Sequence, residues 1–192
     1  MILSDDKPGF NEMQNIKRRF FALRNGVIAD VYRRSGSPYK VIFGLTLVQL
    51  REVAASSAHD RATAMLLRAN DTTRESRLLW PMLVDAGSVN RDETLEWLSQ
   101  VMTCEEADVL CNRLLRNTPF AADIAAELYA RPSATDLQRY AAVRMMAAVA
   151  GKYPRQALEM AQTEMARKCK LTLPTARMLA DDAAYIIECE GK

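Results

Sequence analysis

Apolar residues recur every three or four positions along most of this chain, which is the spacing of one face of an α-helix. In the first segment Met13, Ile16 and Phe20 follow this spacing, and the segment ends near Gly26. The apolar–polar alternation of a strand is nearly absent. Prolines and glycines divide the chain, and the pattern therefore predicts roughly ten or eleven short helices in an all-α protein. Pro81 lies inside one predicted helix, near residues 73–86, and is expected to kink it.

Helix start signals recur about every 26 to 31 residues, which favours a repeat architecture; they are Thr46, Thr72, Thr103 and Ser133. Two of them, Thr72 and Thr103, precede Glu75 and Glu106 at the spacing of a capping box. No linker interrupts the chain. We therefore expect one helical repeat domain over residues 1–192, an α-solenoid of HEAT-like antiparallel helix pairs. A compact all-α bundle is the alternative.

The composition narrows the class of protein. Hydrophobic residues make up 49% of the chain, too many for a disordered protein. No apolar run approaches the roughly 20 residues that a membrane-spanning helix needs. Asp5 and Asp6 stand near the N-terminus without the apolar segment of a signal peptide. These features predict a cytoplasmic protein that does not enter a membrane.

The sequence also lacks the patterns of common cofactor and metal sites. The four cysteines include no pair at C-x-x-C spacing, and there is a single histidine, so no zinc site is expected. No glycine-rich phosphate loop and no serine–histidine arrangement is evident. We therefore expect free thiols, no bound metal and no cofactor.

Charge is unevenly distributed, although the net charge is only +2. Residues 1–80 hold 13 basic and 8 acidic residues, whereas residues 81–192 hold 13 basic and 16 acidic ones. The basic excess includes the run Lys17, Arg18 and Arg19. This run is a mild signal for a polyanion, and it makes these three residues candidate DNA contacts. A solvated surface of charged helices is the alternative interpretation.

The order of several segments resembles the HEAT-like repeat family of bacterial DNA alkylation-repair glycosylases, the AlkD type. The matching segments are Gly44–Arg51, Met65–Arg68 and Glu75–Arg77, then Cys104–Asp108 and Leu137–Ala142. Each segment is weak as a motif, because leucine, alanine and arginine are common in helices. The resemblance is carried by the ordered spacing, which covers about residues 10–185.

The resemblance implies a specific chemistry. Enzymes of this family use a carboxylate to stabilise the positive sugar that forms when the bond to a cationic alkylated base breaks. Matched position by position, Asp108 is the carboxylate and Arg139 the phosphate contact. The expected partner is double-stranded DNA. Without the resemblance, Asp108 could be a residue favoured by the helix dipole, and Arg139 an ordinary surface arginine.

The chain departs from the family at its aromatic positions. Cys104 stands where the family has a tryptophan that contacts the base, and a second family tryptophan falls near Asp182. The tryptophans present, Trp80 and Trp97, lie elsewhere and are expected in the core. Two functions remain open: a DNA-alkylpurine glycosylase with a degenerate base site, and a non-catalytic HEAT-like scaffold that binds DNA or a protein.

Overall fold

The computed structural model describes residues 10–191, and this part of the chain is all-helical. It contains eleven α-helices and no β-strand, only an isolated parallel bridge between Val41 and Thr73. The prediction of an all-α protein is confirmed. The expectations placed on Asp5 and Asp6 lie outside the described residues. The helices are α1 (Phe10–Ala22), α2 (Gly26–Arg34), α3 (Leu47–Ala55), α4 (Arg61–Ala69), α5 (Arg74–Leu79), α6 (Arg91–Ser99), α7 (Cys104–Arg113), α8 (Ala121–Ala130), α9 (Asp136–Val149), α10 (Pro154–Arg167) and α11 (Leu173–Glu190).

The chain divides into two compact units, the first ending at Asp85 and the second beginning at Ala86. The single repeat domain over 1–192 stays a prediction. In the first unit α4 packs on α1 and α5, and α3 packs on α5. Its core includes Ile16, Phe20 and Leu50, all fully buried. None of the helices in the described residues combines the length and the apolarity that crossing a membrane requires.

A buried carboxylate organises the first unit. Glu75 is fully buried near the start of α5, and it accepts hydrogen bonds from three consecutive backbone N–H groups. Those of Phe43 and Gly44 lie at 3.0 and 2.9 Å, and that of Leu45 lies at 3.3 Å. Arg74 donates to the same carboxylate at 3.0 Å and to the Leu45 carbonyl. Glu75 therefore holds the loop before α3 against α5, since a buried charge needs such partners.

Gly44 is required by the close approach of two backbone segments. Its φ is +81°, and a Cβ built on it would stand 2.2 Å from the carbonyl oxygen of Asn25 and 2.8 Å from the backbone nitrogen of Ala29. Both neighbours are backbone atoms at the start of α2, so they cannot move aside independently. Gly44 and Glu75, which the resemblance places in separate segments, therefore belong to one structural contact.

The second unit is built from stacked helices. The most extensive contacts join α8 with α9 and α10 with α11, each pair connected by a short loop. Helices two apart in the chain also touch: α6 with α8, α7 with α9, and α9 with α11. Trp97 on α6 is buried in this unit, as Trp80 is in the first, which confirms the expectation for both tryptophans.

A second buried carboxylate, Glu164 on α10, joins three helices of this unit. It is fully buried and accepts hydrogen bonds from the Tyr129 hydroxyl at 2.8 Å, from the Thr172 hydroxyl and from Arg167. Burial, together with the hydrogen bond to Glu164, raises the pKa of Tyr129 to about 12. The phenol is therefore protonated at neutral pH and remains a donor. This arrangement ties α8 to α10 and to the start of α11.

Three local expectations differ from the structure. Ser133 does not cap a helix, since Thr135 caps α9. The helix predicted over residues 73–86 is not kinked at Pro81; α5 ends at Leu79, and a 3-10 turn follows over Trp80–Met82. The proline ring and its missing N–H end the α-helical hydrogen bonds there. Thr72 is not a helix cap, since α5 begins after Thr73 and has no side-chain cap. Glu75 binds the loop before α3 instead, because a fully buried carboxylate needs more donors than one cap offers.

We predict that Gly44→Ala destabilises the first unit by about 3 kcal/mol or more, because a positive φ costs about 1–2 kcal/mol and overpacking about 1–3 kcal/mol. Gly36→Ala separates the two effects: Gly36 has φ +80° but open space around it, so about 1–2 kcal/mol is expected. Gly26→Ala, with open space and no positive φ, is the control. Chemical denaturation followed by circular dichroism measures all three. Equal losses for Gly44→Ala and Gly36→Ala would contradict the close approach.

We predict that Glu75→Gln lowers the free energy of unfolding by about 3–5 kcal/mol, because it removes the negative charge that the buried Arg74 contacts at 3.0 Å and turns an amide NH₂ toward backbone donors. Glu52→Gln, at an exposed carboxylate on α3, is the matched control and should change the stability by less than about 0.5 kcal/mol. The same denaturation experiment measures both variants. A loss for Glu75→Gln no larger than that for Glu52→Gln would show that the buried carboxylate does not organise this unit.

Candidate functional site

Asp108 lies on α7, and its carboxylate is held at one oxygen. Oδ1 accepts a hydrogen bond from the Tyr140 hydroxyl at 3.0 Å, and the Nε of Arg144 lies 2.6 Å from the same atom. The Arg144 N–H makes no hydrogen bond there, so the pair is a contact between charges. The Asp108 side chain is 38% exposed. Its other oxygen, Oδ2, accepts no hydrogen bond in the described part of the chain.

Local sequence explains why these side chains meet. Thr103 caps α7 by accepting from the backbone N–H of Glu106, as its spacing predicts, whereas the Glu106 carboxylate reaches Met102 instead of closing the capping box. On α9, Tyr140 and Arg144 are four residues apart and so share one face of the helix. That face packs on α7.

One buried thiol, that of Cys111, lies at the contact between α7 and α9, and the half-buried Cys104 begins α7. The Cys111 thiol is fully buried and lies 3.7 Å from the carbonyl oxygen of Ala141. Burial, reinforced by the charge of Asp108, raises the pKa of Cys111 and of Cys104. The same two causes raise the pKa of Tyr140. Both thiols and the phenol are therefore neutral at physiological pH, and neither cysteine is an activated nucleophile.

Arg139 has different neighbours from Asp108. Its guanidinium donates to the carbonyl oxygens of Tyr129 at 2.7 Å and Arg131 at 3.2 Å, and it lies over the Tyr129 ring. These carbonyls belong to the C-terminal end of α8, where basic side chains commonly satisfy unpaired acceptors. The structure therefore brings Asp108 together with Arg144, not with Arg139. The phosphate role of Arg139 stays a prediction.

Sequence reasoning did not select Tyr140 or Arg144. The spacing of Tyr140 and Arg144 on one predicted helix was the available signal. This spacing does not determine which helix lies opposite Asp108. The segment Leu137–Ala142, which matches the family, contains Arg139 and so indicated that arginine instead.

The three basic residues of α1 have separate roles. Lys17 and Arg18 are exposed and make no ion pair in the described residues. Arg19 instead donates to the carbonyl of Val53 at 3.4 Å and to the hydroxyl of Ser56, at the end of α3. Lys17 also lines a pocket of about 520 Å³ within the first unit. Only two of these cations are therefore available to an external anion.

The described residues contain no group of three or more histidine, cysteine, aspartate or glutamate side chains that could hold a metal ion. Cys104, Cys111, Cys169 and Cys189 are free thiols, and of these Cys111 is buried. The site around Asp108 is thus one carboxylate, one guanidinium and neutral hydroxyl and thiol groups. Such a set can stabilise charge, but it offers no nucleophile other than the carboxylate itself.

Comparison of the chain with family models, with curated proteins and with solved structures gave no significant match.

Proposed function

We propose that this protein binds double-stranded DNA and acts on it as a divergent DNA-alkylpurine glycosylase, with Asp108 as the carboxylate that stabilises the positive sugar. We further infer that the helix pairs of the second unit form a HEAT-like stack. The contacts of α7 with α9 and of α9 with α11 support that stack, because helices of adjacent repeats touch in this manner.

The observation that carries the proposal is that the Asp108 carboxylate is held in place at only one of its oxygens. One oxygen is held by Tyr140 and Arg144, and the other accepts no hydrogen bond in the described residues, on a side chain that is 38% exposed. The buried carboxylates that join helices, Glu75 and Glu164, instead have donors on both oxygens. An oriented carboxylate with a free oxygen can stabilise a positive charge that develops beside it.

The proposed reaction is hydrolysis of an N-glycosidic bond. The bond between the sugar C1′ and the ring nitrogen breaks, and its electron pair leaves with the base, which becomes neutral. The sugar becomes positively charged beside Asp108. Water then adds to C1′ and loses a proton to the solvent. No residue has to supply a covalent intermediate, which agrees with the neutral thiols around Asp108.

A second candidate is a non-catalytic DNA-binding scaffold. The contact of 2.6 Å between Asp108 and Arg144 favours it, because a paired cation cancels much of the carboxylate's field. Cys104, at the helix start one turn before Asp108, provides no aromatic face for a cationic base. Both functions require DNA binding, and they differ in whether base is released.

We predict that the protein releases alkylated base from methylated duplex DNA slowly, and that Asp108→Asn abolishes this release. Asp123→Asn, at an exposed carboxylate on α8, is the matched control and should leave the rate unchanged. Cys104→Trp should raise the rate about tenfold, since one cation–π contact is worth roughly 0.5–2 kcal/mol. Single-turnover release of base, measured by chromatography, checks all three variants.

Release that survives Asp108→Asn would show that other residues carry the reaction. DNA binding without release, in both the natural protein and Cys104→Trp, would favour the scaffold.

We predict that replacing Lys17 and Arg18 by alanine lowers the slope of log K against log salt for DNA binding by about two units, because each phosphate contact contributes about 0.9. Arg19→Ala is the informative comparison, since its guanidinium already binds the end of α3. It should reduce stability and leave the slope unchanged. Fluorescence anisotropy with a labelled duplex at several salt concentrations measures the slope. An unchanged slope for the double variant would place the DNA surface away from α1.

A further inference from the structure

A cleft with two cationic side chains lies where α9 ends. It is formed by the 3-10 turn Leu115–Asn117, which follows α7, and by the turn between α9 and α10. Its volume is about 290 Å³. The residues that line it are Arg116, Asn117, Ala148, Val149, Gly151 and Lys152. The lining includes two cations and one amide but no carboxylate.

The two cations of this cleft are unpaired. Arg116 and Lys152 are exposed, and neither side chain makes a hydrogen bond or ion pair within residues 10–191. Most other arginines of the second unit are used by the protein itself: Arg91, Arg131, Arg144 and Arg167 contact carboxylates, and Arg139 contacts carbonyls. The charge in the cleft is therefore available to an external anion.

Other positively charged groups lie in the helices on either side of these two turns. Arg113, in the last turn of α7, and Arg155, in the first turn of α10, are also exposed and unpaired in the described part of the chain. α10 begins at Pro154, and its cap residue Tyr153 offers no side-chain acceptor to the first N–H groups. The partial positive charge of that helix start adds to the field of the two cations.

We propose that the cleft between Arg116 and Lys152 is a phosphate-binding site. A guanidinium and an ammonium group in the lining of one small cleft suit a phosphate, whose oxygens accept from both. The cleft is too small for a helix or a strand of a partner protein. The assignment of the phosphate to a DNA backbone rests on the proposed function, whereas the affinity for the phosphate group itself does not.

The position of the cleft relates it to Asp108. α7 and α9 run side by side in the same direction, since Asp108 contacts Tyr140 and Arg144 while Arg116 lies near Val149. The cleft thus begins four or five residues beyond Arg144 on α9, a distance of about 6–8 Å at 1.5 Å per residue. Successive phosphates of one strand are spaced by about 3.4 Å along the duplex axis. A phosphate bound in the cleft would therefore belong to the same DNA segment as a nucleotide beside Asp108.

The test uses a double variant of the full chain, Arg116→Gln with Lys152→Gln, called the cleft variant below. The matched control is Lys168→Gln with Lys170→Gln, which removes the same charge from two other exposed, unpaired cations of the same unit. Binding of a labelled DNA duplex is measured between about 50 and 200 mM salt. We expect the cleft variant to lower the salt slope by about two units and the control to lower it by less than one.

A second measurement separates this inference from the proposed function. Inorganic phosphate is titrated into the natural protein, and the backbone amide signals of Asn117, Gly151 and Lys152 are followed by NMR. We expect saturable shifts that the cleft variant loses and the control variant keeps.

Equal DNA slopes for the two variants, or absent phosphate shifts, would overturn the phosphate site and leave the proposed function standing. Saturable phosphate shifts in a protein that does not bind DNA would support the site and overturn the proposed function.

Discussion

The need of buried carboxylates for hydrogen-bond donors is the constraint on which this structure depends. Leaving a charge unpaired in a protein interior costs several kcal/mol, so each buried glutamate must collect donors from its surroundings. Glu75 collects three backbone N–H groups and Arg74, and in doing so fixes an irregular loop against α5. Glu164 collects two hydroxyls and Arg167, and joins α8, α10 and the start of α11. The apolar faces of the helices supply the driving force, and these contacts decide the relative positions of the helices.

The hydrogen-bond partners of each charged side chain likewise distinguish charges that the fold uses from charges that are available to a ligand. Arg19 and Arg139 resemble free surface arginines in the sequence, yet both satisfy carbonyl groups at helix ends. Arg116 and Lys152 make no hydrogen bond or ion pair in the described residues, and both line the same cleft. Asp108 is intermediate, because one oxygen is held and the other is open. A charge that the fold does not use is the stronger candidate for binding something outside the protein.

The arrangement around Asp108 also limits the chemistry that the proposed function can draw on. Arg144 and Tyr140 orient the carboxylate, but the charge of Arg144 opposes its effect on a nearby cation. Cys104 adds a neutral thiol where an aromatic ring would attract a cationic base. A site of this kind favours binding and orientation over rapid bond cleavage. The proposed slow excision is the kinetic consequence of that balance.

The sequence by itself determined the all-α class and most helix boundaries, because periodicity, caps and prolines act within a few residues of the chain. Thr46 and Thr103 cap their helices as expected, and both tryptophans are buried. The sequence could not predict the partners of charged side chains. Contacts between residues more than thirty positions apart depend on which sides of the helices pack together. The sequence therefore indicated Arg139 beside Asp108, whereas tertiary packing turned Arg139 toward α8 and brought Arg144 to the carboxylate. Likewise, the sequence predicted that Glu75 completes a helix cap, whereas in the structure it is buried and binds the loop before α3. Only the tertiary structure determines where a carboxylate is removed from water and needs other hydrogen-bond donors.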